Sequence, residues 1–187
     1  MNIDPKLEAI GVVELNSIAA GMLATDTMLK TSEIQLLLSR SICSGKYMVM
    51  VAGSVAEVTS SVEAGVDEAH GAVIDSIVIA NIHPSVFTAI AGSTPATELI
   101  SLGIIESFSV ASLIEAADMA VKSANVKLLE IRLAMALGGK AFVTMTGEVA
   151  DVRSAVESGA KLVADKGMLV NKVVIPAPRP ELYKDYI

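Results

Sequence analysis

The chain has 187 residues, 52% of them hydrophobic but only 3% aromatic and none tryptophan, and it carries a net charge of -7. With no cluster of Lys or Arg, that acidic balance excludes a nucleic-acid or anionic-membrane surface, and no apolar run approaches the ~18 residues of a membrane span. A single cysteine forms no intramolecular disulfide, and the acidic start MNIDPKLEAIGVVE lacks the basic end and long apolar core of a secretory signal, so a soluble cytoplasmic protein is expected.

In chain order, Ile10 to Leu15 reads as a short strand, after which Ser17 offers a hydroxyl to cap a helix. Asp26 and Lys30 stand at i and i+4 on that helix and are expected to share its solvent face. Ile34 to Leu38 and Tyr47 to Ala52 read as strands of a hairpin, joined through Ile42-Cys43-Ser44-Gly45-Lys46, a small-residue turn holding the only cysteine. Val55 to Ala69 reads as a second helix and Ile74 to Ala80 as a last strand. AGSTPATE, Ala91 to Glu98, has the Gly, Ser, Thr and Pro content of a joint. Beyond it come a strand at Leu102 to Ser107 and a cap at Ser109. Val110, Leu113, Ile114, Ala117 and Val121 then follow the spacing of a helix with one buried face, and Asp118 and Lys122 are expected on its solvent side. Val126 to Leu133 and Ala141 to Thr146 are strands, Val149 to Ala164 a helix, and Met168 to Ile175 the final strand.

These elements repeat. The run from Ala9 lies over the run from Ser101 at a constant offset of 92, pairing Gly11 with Gly103, Glu14 with Glu106, Ser17 with Ser109, Asp26 with Asp118 and Lys30 with Lys122. After the turn the offset is 94, with SGKYMVMVAGSVAEV over GGKAFVTMTGEVADV. The chain is one α/β (α+β) module duplicated, each copy in the order β-α-β-β-α-β of the split βαβ, ferredoxin-like arrangement. Residues 9–92 make the first module, 93–100 a linker and 101–187 the second.

The runs GVVELNSIAAGMLATDTMLK, the SGK and GGK turns, GSVAEV, GEVADV and VIPAPRP resemble those of the bacterial microcompartment shell domain, twice and without circular permutation. Within that family the SICSGKY turn is most similar to tandem-domain trimeric shell proteins of the propanediol-utilisation type. The resemblance implies a non-enzymatic shell protein of the cytoplasmic microcompartment, a homotrimer forming a pseudo-hexameric tile beside neighbouring shell proteins. It also implies a central pore lined by the hairpin turns, here Ser41, Ile42, Cys43, Ser44, Gly45, Leu137, Gly138 and Gly139. Lys30, Lys122 and Asn125 would fall at the tile edge. KTSEI departs from the family pattern with Glu33, and Ala177 and Asn81 stand where the family often has an arginine.

Residues present in both copies serve the fold, whereas Cys43, facing Leu137 in the repeat, serves a local task. On a three-fold axis one thiol becomes three. The resemblance then implies an oxygen-labile iron-sulfur cluster, of the 4Fe-4S type and one per trimer, with Cys43 as its metal ligand. Such a cluster would carry electrons across the shell, with encapsulated redox enzymes as partners. The alternative is a cluster-free pore for small polar metabolites in which Cys43 only narrows the opening. A third reading, an enzyme or ligand-binding regulator on a ferredoxin-like module, lacks a Gly-rich phosphate loop, a metal cluster or a triad. Glu14 and Glu106, as one position of a duplicated module, read as structural, and His70 and His83 have no partners at metal or triad spacing.

Overall fold

The computed structural model of the chain describes residues 8–92 and 99–183. Residues 93–98 of the expected linker, and 184–187 of the expected second module, lie outside them. Two compact units are formed, one running to Ile82 and including Met135–Gly139, the other made of His83–Ala134 and the chain from Lys140 onward.

The first unit holds β1 (Ala9–Leu15), α1 (Ile18–Thr31), β2 (Gln35–Ile42), β3 (Lys46–Gly53), α2 (Val55–Ala69) and β4 (Val73–Ala80). Its sheet runs β2-β3-β1-β4, antiparallel throughout. Alternation along the strands sends Ala9, Val13 and Leu15 of β1 and Tyr47, Val49 and Val51 of β3 to one side, where they pack with Ala24, Met28, Val58 and Val62 of the helices. A glycine lets α2 approach: a Cβ at Gly11 would stand 2.4 Å from Val62 Cγ2. Ser17 Oγ accepts the Ala20 N–H at 3.3 Å, the cap expected for α1. Ser54 and Glu57 form a reciprocal capping box on α2, an arrangement worth about 1 kcal/mol.

The second unit holds α3 (Pro84–Ile90), β5 (Ser101–Ser107), α4 (Val110–Ser123), β6 (Lys127–Arg132), β7 (Ala141–Thr146), α5 (Val149–Asp165), β8 (Leu169–Pro176) and α6 (Pro180–Tyr183). Its sheet, β6-β7-β5-β8, repeats the first topology, so both modules are unpermuted. The short helices α3 and α6 were not anticipated from the sequence. Each opens on proline, whose fixed φ suits the first turn, and α3 is capped by His83, whose Nδ1 accepts the Ser85 N–H at 3.2 Å. Among the described residues no helix is long and apolar enough to cross a membrane.

Equivalent faces of the two modules differ in burial. On the side of the first sheet away from its helices, Ile10, Val12, Glu14, Met48 and Met50 are all fully buried. On the same side of the second sheet Ile104, Phe142 and Ile175 are only partly buried and Val173 is exposed. The reverse holds for the first helix and second strand of each module. Met22 of α1 is 58% exposed where its counterpart Ile114 of α4 is 0%. Ile18 and Leu36 are likewise exposed where Val110 and Leu128 are buried. One chain therefore presents two unlike apolar faces, one on each module.

Candidate functional site

The hairpin of β2 and β3 pairs Ile42 with Lys46, leaving Cys43, Ser44 and Gly45 as the turn. Ser44 has φ 64° and Gly45 φ 71°, so the chain reverses through two left-handed residues, a conformation that glycine adopts without cost. Cys43 is partly buried. Its Sγ accepts the backbone N–H of Ala136 at 2.7 Å. The N–H groups of Leu137 above all, then of Ala136, Gly139 and Gly138, hold the thiol below its ordinary pKa, against a smaller opposing effect of burial. Consecutive N–H groups converge here because Ala136, Gly138 and Gly139 have φ of 59°, 61° and 84°, which folds the segment into an anion-receiving concavity. A side chain at Gly139 would crowd Ser44, since a Cβ there would stand 3.1 Å from Ser44 Oγ.

The base of the hairpin is fixed by charge and hydroxyls. Glu14, fully buried on β1, pairs with Lys46 Nζ at 2.9 Å. The duplicate pair, Glu106 with Lys140 at 2.8 Å, is more exposed. Ser39 Oγ and Tyr47 Oη lie 2.8 Å apart, and Thr25 Oγ1 is 3.3 Å from Ser39 Oγ. The arrangement presents a thiol whose ionised form is favoured by backbone N–H groups beside the turn. Among the described residues no group of three or more His, Cys, Asp and Glu could hold a metal, so one chain contributes one soft ligand.

The model of the BMC domain matches residues 9–82 and again 101–178. The chain is similar to the bacterial microcompartment shell protein PduT of Citrobacter freundii, 41% identical over 96% of this chain and 98% of that protein. It belongs to the bacterial microcompartment shell protein family. A crystal structure of a microcompartment protein from Desulfitobacterium hafniense is similar at TM-score 0.83 and 52% identity, over 94% of this chain and 98% of that one. The fused permuted hexameric shell protein of the RMM microcompartment shares the fold at TM-score 0.64, with 22% identity over 84% and 82% of the two chains. The expected family and the tandem, unpermuted fold are thus found, and the relatives are named for a structural shell role rather than for catalysis.

In this shell protein the first unit brings Cys43 and Ser44 together with Leu137, Gly138 and Gly139. Ser41, Ser44, Gly45 and Gly138 are exposed, whereas Ile42 is buried and Leu137 partly so. Lys30 is exposed near the C-terminal end of α1 and Lys122 near that of α4, and Asn125 is exposed just beyond α4. Lys30 and Lys122 each meet an aspartate four residues earlier, at 2.5 Å. Asp118, expected on a solvent face, is instead buried, because it also accepts the His83 backbone N–H at 2.7 Å. Two contributors were not named from the sequence: Ala136, which reaches Cys43 through its backbone, and Lys46 as the partner of Glu14. The two extra residues ahead of the second turn were the signal for the first.

Proposed function

We propose that the chain is a shell tile in which three copies close head to tail into a six-module ring, with the turns at Ser41–Gly45 and Leu137–Gly139 around a central pore. Two unlike apolar faces on one chain suit heterologous association, which closes into a ring when the rotation permits. Sheets of such tiles, edged by Lys30, Lys122 and Asn125, would contact neighbouring shell proteins in the facet of a cytoplasmic microcompartment.

The observation that carries the functional reading is Cys43 Sγ, held in a thiolate-favouring set of backbone N–H groups at an exposed turn. The donor chemistry fits an iron-sulfur cluster, since thiolates are its usual ligands and backbone N–H groups commonly meet its sulfurs. Three Cys43 thiolates, one per chain, would hold one 4Fe-4S cluster per trimer and leave one iron position to solvent or a partner. When bound, the cluster supplies one-electron transfer across the shell, toward encapsulated redox enzymes. The protein's own part is to favour the thiolate form of Cys43 through the N–H groups of Leu137, Ala136, Gly139 and Gly138, and to anchor the hairpin through Glu14 and Lys46.

A second reading is favoured by one feature: the N–H groups at residues 136–139 already satisfy Sγ within the chain. The pore would then be a cluster-free passage for small polar metabolites. Anaerobic reconstitution with iron and sulfide separates the two. The cluster reading expects about four irons per three chains, broad visible absorbance that bleaches on reduction and oxygen sensitivity. It also expects Cys43→Ser to lose the colour while the mass of the assembled protein is unchanged. Colourless wild type under every reconstitution, or full iron in Cys43→Ser, would overturn it.

A further inference from the structure

Unit 2 contains the covered version of a face that unit 1 leaves open. There α3 packs along β6 and touches α4, burying its own Val86, Phe87 and Ala89 while Leu128, Leu129 and Ile131 of β6 are buried. The N-terminus of α3 is pinned by one carboxylate, for Asp118 Oδ1 accepts the His83 N–H at 2.7 Å and its Oδ2 meets Lys122 Nζ. In unit 1 the equivalent groups stand ready but unmatched: Asp26 and Lys30 form the same pair in solvent, and Leu36 and Met22 are exposed.

The sequence names what belongs on that face. Segment His83-Pro84-Ser85-Val86 lies over Arg179-Pro180-Glu181-Leu182 in the repeat, and α6 leaves Leu182 48% exposed, where its counterpart Val86 is 0%. Arg179 brings a positive charge to the position that would meet the negative Asp26, and in the single chain its exposed guanidinium meets Glu181 at 3.5 Å. We propose that Arg179–Leu182 of one copy docks on the α1/β2 face of a second copy, with Asp26 accepting the Arg179 N–H and Leu182 covering Leu36. The proposal rests on the ring described above and names the residues that close it.

Sedimentation velocity over a dilution series tests this on the full chain, comparing wild type with Leu182→Asp and Leu23→Asp. Leu182 is exposed in the single chain, so its replacement leaves the fold intact, and circular dichroism checks this. A carboxylate in a covered apolar contact should weaken self-association at least about tenfold. Leu23 is also exposed, yet its counterpart is Glu115, which meets Lys166 at 2.9 Å, so Leu23→Asp should assemble like wild type. Amide exchange of Arg179 should be slow in the assembled protein and fast in Asp26→Ala. Wild type that stays monomeric overturns the ring itself. An assembled wild type indifferent to Leu182→Asp, or with fast exchange at Arg179, overturns the docking alone.

Discussion

Asp118 and its repeat counterpart Asp26 make the same lysine pair at the same spacing, yet Asp118 is buried on a backbone N–H and Asp26 stands in solvent. Identical chemistry thus has two environments in one chain, and environment decides the energetic consequence.

Glu14 and Glu106 give that contrast a stability test. Glu14 is fully buried against Lys46, whereas Glu106 and Lys140 are both partly exposed. Breaking a buried pair leaves a charge without compensation, so Glu14→Gln should cost about 3 kcal/mol in urea unfolding. Glu106→Gln should cost at most about 1 kcal/mol, because solvent screens the exposed pair. Equal losses would contradict the burial assigned to Glu14.

A size exchange makes the second test. A Cβ at Gly21 would stand 2.4 Å from Tyr47 Cδ1, and the equivalent positions in the other module hold Leu113 and Ala141. Gly21→Ala should therefore destabilise by about 1–3 kcal/mol through overpacking. The pair Gly21→Leu with Tyr47→Ala, copied from the second module, should recover part of the loss of Gly21→Leu alone. A double variant no more stable than the single one would mean that the two side chains do not share that space.

The thiol of Cys43 sets a pH dependence. Folding lowers its pKa through the N–H groups led by Leu137, so between the folded and unfolded values the unfolded chain binds more protons. The thiolate's contribution to stability is fully present above the unfolded value, about 8.5, and is lost as pH falls through the lowered folded value. In metal-free protein the iodoacetamide alkylation rate should reach half its plateau below the pH found for the urea-unfolded chain. Coincident midpoints would show that those N–H groups do not act on the sulfur.

With Lys122 at the proposed tile edge, Lys122→Ala should weaken extended sheets in electron micrographs while sedimentation still reports the proposed trimer. The side chain sits at the end of α4, where its described partner is the nearby Asp118. Dissociated trimers would place that helix end inside the ring contacts instead.

Much of the fold was legible because duplication printed it twice: the offsets of 92 and 94 marked one module and its turn. Ser17 and Ser109 capped helices for local reasons that need no tertiary structure. What stayed hidden depends on distant chain segments. Asp118 is buried by a backbone group 35 positions away, and Cys43 is held by one 93 positions away. Neither contact uses a side chain on the donor residue, so residue type gave no sign of it. The exchange between Gly21 with Tyr47 and Leu113 with Ala141 was present in the letters, but only packing shows that the two positions meet.

The claim that three Cys43 side chains meet at one pore is tested most directly by a nitroxide on that residue, the single cysteine of the chain. In assembled, cluster-free protein the account predicts a dipolar-broadened spectrum that sharpens when labelled chains are diluted with unlabelled Cys43→Ser chains before assembly. A sharp spectrum in fully labelled trimers, unchanged by that dilution, would contradict it.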